Sequence, residues 1–239
     1  MAPTAGENEL ENSGDAYGDA IIERMHREAA RGLQAARLSG DGLRFADAPD
    51  HVQLLGRRVH EETQNFAAID QLHEQLLETS LDPDRLRAMT LDAPPRLNDW
   101  TETAIAHWLW ERASWWQLNE YVECSWVPWQ TLVNRMVREK RGLQSRAERF
   151  ASDAATAGHP ESAQRAFETW LPITLSSLGS SQDAAEVFAT AAGIRTRMPE
   201  DVMEDFLEDI KPACRVMNLS LPGTETLSIA VPPQLDWSL

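Results

Sequence analysis

From Asp19 onward, apolar residues recur every three or four positions and the polar residues fall between them. That spacing predicts amphipathic helices. In DAIIERMHREAARGLQAARL, Ile21 or Ile22, Met25, Ala29 and Leu33 share one stripe, and Ser39-Gly40 predicts a helix end near residue 38. Residues 50–79 read as one long helix, with Val52, Leu55, Val59, Phe66, Ile69, Leu72 and Leu76 at helical spacing. Asn98 or Asp99 predicts the cap of a third helix over 99–124. Pro128 reads as a break, because proline lacks the amide hydrogen a helix interior needs. A fourth long helix is expected over 129–157, then shorter ones over 160–178, 182–192 and 199–217, with Pro172 and Pro212 inside the first and last of these. No stretch alternates with the period of two that strands require. Four long helices and three short ones predict an all-α fold, a four-helix bundle carrying a C-terminal helical layer.

The ends read differently. Residues 1–17, MAPTAGENELENSGDAY, are small, polar and acidic, and are expected to be a disordered lead-in. Residues 218–239 are proline-rich and read as an extended tail on a single helical domain spanning 18–239.

Composition narrows the setting. Hydrophobic residues make up 42% of 239, enough for a sizeable core. No run of 18 apolar residues and no basic-then-apolar start appears, so neither a membrane span nor a signal peptide is expected. Cys124 and Cys214 share no motif spacing, which fits a reducing compartment and a cytoplasmic location. The net charge is −16, with no basic footprint for nucleic acid. Such acidity would attract a cationic substrate or a basic partner surface. Seven of the nine tryptophans lie between Trp100 and Trp129. They read either as core filling at a helix crossing or as the wall of a pocket.

Several stretches resemble one known family. ETWLPITLSSLG (168–179), ECSWVPW (123–129) and IRTRMPEDVMEDFLEDIKPACRVMNLSLP (194–222) are similar to scaffold segments of the catalytic subunit of bacterial phenylacetyl-CoA epoxidase. That family is a ferritin-like branch of the multicomponent di-iron oxygenases, and the likeness runs from about residue 21 to 225. It implies a ferritin-like bundle, two irons at the bundle centre and a partner chain. Carried over one at a time, the iron ligands mostly fail. The glutamate of helix two is Glu62, but its histidine partner falls on Asn65. The acidic ligand of helix three falls on Glu111. The Glu-x-x-His pair of helix four falls on Lys140 and Leu143, and the glutamate of helix one falls near Gly32, with Glu28 one turn earlier. Asn is a poor iron ligand, Leu is none, and an ammonium repels Fe²⁺. Asp70-x-x-His73 and His107-x-x-x-Glu111 offer ligand-like spacing as substitutes, or are ordinary polar pairs.

Without iron, Glu62 and Glu111 are expected to face each other and repel, raising at least one pKa toward neutrality. His107, Trp108 and Trp115 can share the face of Glu111, and a tryptophan over a cation is a favourable pairing. Lys140 can instead act as a fixed internal cation. Three functions follow. The first is a metal-independent enzyme of specialised metabolism needing no cofactor. In it Glu62 and Glu111 deprotonate an amine-bearing substrate for ring closure or substitution, Asn65 orients that substrate, and His107, Trp108, Trp115, Lys140 and Glu28 line the site. The second is a non-catalytic subunit paired with a related or smaller chain, or with itself as a homodimer. The third is a di-iron monooxygenase with altered ligands. An open or a filled centre at Glu62 and Glu111 separates the first two.

Overall fold

The computed structural model describes residues 15–90, 95–157, 160–224 and 237. Eight helices follow in order: α1 (Asp15–Gly42), α2 (Pro49–Leu77), α3 (Pro83–Met89), α4 (Trp100–Asn119), α5 (Val127–Ala157), α6 (Pro160–Ser176), α7 (Ala184–Ala191) and α8 (Pro199–Met217). A single 3-10 turn, Leu43–Phe45, separates α1 from α2. Among the described residues there is no strand, and no helix is long and apolar enough to cross a membrane.

The bundle is α1, α2, α4 and α5. α1 packs chiefly on α2, and α4 on α5, while α6 lies along the outer side of α4 and α8 contacts α4 and α5. The helix starts follow from short polar caps. The Asp99 carboxylate accepts the Glu102 amide of α4, Asp82 accepts that of Asp84 in α3, and Asp183 accepts that of Ala185 in α7. Pro49, Pro83 and Pro199 open α2, α3 and α8, where the missing amide costs nothing. α2 and α8 both end on left-handed residues, Glu78 and Asn218.

Several boundaries differ from the sequence reading. α1 does not stop at Ser39-Gly40 but runs to Gly42. Its last turn is held by packing: a Cβ at Gly42 would lie 2.5 Å from Thr103 Cγ2, so glycine permits a close approach to α4 there. Residues 15–17, expected in the lead-in, already belong to α1, and the Tyr17 hydroxyl meets that of Ser125 at 2.5 Å. The rest of that lead-in, 1–14, lies outside the described residues, as do 225–236 and 238–239 of the expected tail. Pro128 does not break a helix. It sits in the first turn of α5, where no amide is needed. α4 ends at Asn119, five residues early, where Thr196 and Arg197 donate their amides to Glu120.

Two large apolar clusters and a smaller one of Leu54, Leu143 and Phe150 fill the bundle. One joins α1, α4, α5, α6 and α8 through residues such as Trp108, Phe167, Trp170 and Phe206. The other joins α1, α2, α4 and α5 around Met25, Ile69, Tyr121, Trp129 and Met136. Each such side chain removed from water contributes about 1.5–3 kcal/mol. Near the end of the bundle, α7 is fastened by charge. The Glu186 carboxylate receives Arg24 at 2.5 Å, Arg27 at 2.9 Å and Arg195, with Arg24, Arg195 and Glu186 all buried. Glu186→Ala would strand two buried guanidinium groups, and a broken buried pair costs about 3–5 kcal/mol. Urea unfolding should therefore show a loss of that size. A loss below about 1 kcal/mol, the range of exposed pairs, would show that Glu186 does not fasten α7.

Candidate functional site

One buried stripe from each bundle helix meets at the centre. On α2 the stripe is Arg58, Glu62 and Asn65, spaced four and three residues apart and all buried. α4 supplies His107 and Glu111, α5 supplies Lys140 and Leu143, and α1 supplies Glu28 and Gly32.

Arg58 binds the group together. Its side chain is 1% exposed and forms ion pairs with both Glu62 and Glu111. Lys140 completes the set, its Nζ donating to Glu62 Oε1 at 2.7 Å. Two buried cations thus face two buried carboxylates. On the α1 side, Gly32 lies against the second Glu62 oxygen, and a Cβ there would sit 2.8 Å from Oε2. The glycine lets α1 approach a carboxylate that another side chain would displace. Glu28, also buried, reaches the Arg31 guanidinium at 3.7 Å.

This arrangement corrects the expected electrostatics. Glu62 and Glu111 do not repel across an empty gap, because Arg58 lies between them. Burial pushes the Glu62 carboxyl up, but Arg58 and then Lys140 more than offset it and hold it below the usual carboxylate range. Burial raises the Glu28 carboxyl, which Arg31 only partly offsets. Burial also lowers the His107 imidazole to about 4, against the pull of Glu111, and Arg58 adds to the lowering. His107 is therefore neutral near pH 7, and its Nε2 has no hydrogen-bond partner.

The tryptophans expected around Glu111 face elsewhere. Trp108 stacks on Phe167 of α6, with ring centroids 6.4 Å apart. Trp115 is partly buried against the cluster of Tyr121 and Trp129 and meets Trp116 edge-on. The one tryptophan with a cation over its ring among the described residues is Trp116, beneath Arg197 at 5.8 Å. The indoles here fill helix crossings. The substitute pair Asp70–His73 also has other work. Asp70 accepts the Leu81 amide and His73 bonds the Thr79 carbonyl, so both anchor the turn after α2.

Glu62 and Glu111 are only 3% and 1% exposed. A groove of about 430 Å³ lies between α2 and α5, lined by Asn65 together with Glu61, Gln64, Arg135 and Glu139. The sequence reading missed Arg58. Its position one turn before Glu62, on the same apolar-and-carboxylate stripe, was the available signal.

Residues 48–230, most of the chain, match the family model described as phenylacetic acid catabolic protein. No curated protein matches the chain at a significant level. The resemblance implies a di-iron centre where Glu62 and Glu111 lie, and the residues present do not fit one. An ammonium and a guanidinium occupy the carboxylates, and at the two positions where the resemblance implies imidazoles the chain has Asn65 and Leu143. Among the described residues no three His, Cys, Asp or Glu side chains converge as a ligand group.

The state of His107 yields a pH prediction. Its folded pKa lies below its ordinary value of 6.5, so below pH 6.5 the unfolded chain binds the extra proton. Stability from this group is full above about 6.5 and falls as pH drops toward 4. A shift of this size corresponds to about 3 kcal/mol. Urea unfolding of wild type and His107→Gln between pH 7 and pH 4 should show a steeper acid loss in the wild type. Parallel curves would mean that the imidazole is not held neutral.

Proposed function

We propose a metal-independent role for this chain, which belongs to the ferritin-like family of phenylacetic acid catabolic proteins. The family's members are components of multicomponent complexes. The reading that the geometry supports best is a subunit that forms such a complex with a second, related chain, and whose own bundle centre is closed by salt bridges. One observation carries it: Arg58 pairs with both Glu62 and Glu111, and Lys140 pairs with Glu62. A general base needs a proton-accepting group that substrate can reach. Glu62 is kept ionised by two cations and is only 3% exposed. The long amphipathic helices offer the broad face that a bundle partner would cover, with a second copy of this chain as the alternative occupant.

A second reading rests on a separate observation. Glu62 already seats a primary ammonium, that of Lys140, and the buried Asn65 opens onto the groove between α2 and α5, where Glu61 and Glu139 add negative charge. An amine-bearing substrate entering there would replace Lys140 at Glu62, lose a proton to the carboxylate and become the nucleophile for ring closure or substitution. This is the metal-independent enzyme of specialised metabolism, with Asn65 orienting the amine and Glu111 held in place by Arg58.

Two measurements separate these readings from each other and from an oxygenase. Protein produced in iron-rich medium together with the products of adjacent genes should carry substoichiometric iron and elute as a heteromeric complex. Two irons per chain would end the metal-independent proposal, and a monomer at micromolar concentration would end the subunit reading. Lys140→Ala should then be titrated with n-butylamine. A rise in thermal midpoint that depends on Glu62 would favour the amine enzyme; no rise would favour the closed subunit.

A further inference from the structure

The groove beside Asn65 continues along the outside of the bundle. A second hollow of about 400 Å³ adjoins it and shares Ala68, Gln71 and Arg135 with it, so the two form one channel between α2 and α5. On α2 the channel spans His60 to Gln75, about 22 Å at the rise of an α-helix, which is the length of a four-turn helix. Its two ends differ in charge. Near Pro128 the floor is apolar, formed by Ala68, Leu72, Pro128 and Leu132, and the rim carries Arg135 and Arg138 with no carboxylate in the lining. Arg135 reaches Glu139 only at 3.8 Å, and Arg138 has no ion pair among the described residues. At the other end Glu61 and Glu139 line the groove, and Glu61 is already taken by Arg57 at 2.6 Å. The chain as a whole carries a net charge of −16. Two arginines over an apolar floor reverse that field locally, and they attract a group that the rest of the surface repels.

Three further features point to a polypeptide in this channel. Leu77, two residues past Gln75, is 41% exposed, and Val127, next to Pro128, is 53% exposed. Large apolar side chains thus extend the floor at its cationic end. Asn65 is 4% exposed, lines the groove and makes no side-chain hydrogen bond among the described residues. A buried amide without a partner is costly, and a group entering from the groove relieves it. Gly56 and Gly142 lie one turn beyond His60 and Arg138 on the same two stripes, and a Cβ at either would meet nothing within 4 Å. Glycine inside a helix costs about 0.5–1 kcal/mol relative to alanine. Close packing within the chain explains Gly32 and Gly42 but not these two. A second backbone passing close to α2 and α5 does explain them.

We infer that the α2–α5 groove docks an acidic amphipathic helix of a partner chain. The apolar face of that helix lies on Leu72, Pro128 and Leu132, its carboxylates meet Arg135 and Arg138, and Asn65 hydrogen-bonds its polar edge. The inference rests on the subunit reading and names the surface through which that subunit pairs.

Fluorescence anisotropy on the full chain tests this with two labelled peptides, one of three LEELLAE heptads and one of three LKKLLAK heptads. The net charge of −16 favours the basic peptide, so only a local cationic groove reverses the order. The acidic peptide should bind with one-to-one stoichiometry, and the basic peptide at least about 10-fold more weakly. Arg135→Glu combined with Arg138→Glu removes two attractions and adds two repulsions, which should weaken the acidic peptide by about 10-fold or more. Both residues are exposed, so circular dichroism should stay unchanged. Arg165→Glu, on α6, adds negative charge away from the groove and should leave the acidic peptide's affinity within about twofold, because screening removes distant charge. Absence of acidic-peptide binding, a basic peptide that binds as tightly, or full-strength binding after the double reversal would each overturn the inference. The heteromeric complex with an adjacent gene product supplies a second arm, since the double reversal should release the second chain. A complex that survives it overturns the groove and leaves the subunit reading standing. A wild-type chain that elutes as a monomer ends the subunit reading and this inference with it. A homodimer of the chain alone that the double reversal dissociates would overturn the assignment to a different partner chain.

Discussion

Arg58 holds the centre of this bundle. A guanidinium with so little exposure can exist only beside negative charge, because taking an unpaired ion out of water costs several kcal/mol even after relaxation. It meets Glu62 on its own helix and Glu111 on α4, so one cation joins α2 to α4. Lys140 from α5 neutralises the remaining charge on Glu62. Each member of the group is tolerable only because the others are present. The surrounding packing follows this requirement. Gly32 lets α1 approach the second Glu62 oxygen, and Leu54, Leu143 and Phe150 form an apolar cluster on the α2–α5 side.

The chemistry of the site turns on the same contact. A carboxylate pair that shares a proton or a metal is reactive because its charges are unresolved. Here they are resolved by fixed internal cations. Glu62 is held in its ionised form, and His107 is held neutral by the same burial and by the cations nearby. Neither group changes protonation state readily near neutral pH. The buried cysteines point the same way: burial pushes the Cys124 thiol up to about 11 and that of Cys214 up to about 12, so neither is a ready nucleophile.

The helices were legible because period and capping agree. Asp99 before α4 and Pro199 before α8 each carry a local reason to start where they do. Errors arose where tertiary packing decided the outcome. Nothing near Gly42 in the sequence announces that Thr103 lies against it, so the end of α1 was placed too early. The centre was legible in part. Glu62, Glu111 and Lys140 could be found through the family likeness, but Arg58 lay outside that ligand pattern and was overlooked, although its four-residue spacing from Glu62 was visible. The tryptophans misled for a different reason. Residues 107–118 of α4 are buried on nearly every side, so a shared helical face with Glu111 did not decide which neighbour each indole would meet. Trp108 turned to Phe167 on α6, a helix about sixty residues further along the chain.

The most direct test of a salt-bridged centre is the coupling between Glu62 and Lys140, measured by urea unfolding of Glu62→Gln, Lys140→Met and the double variant. If the pair fills the centre, each single change should cost about 3 kcal/mol or more, because each strands a buried charge. The double change should then cost less than the sum by at least about 1 kcal/mol. Additivity within about 0.5 kcal/mol would contradict the account, since it would mean that Lys140 and Glu62 are independent of each other and that the centre is held by something else.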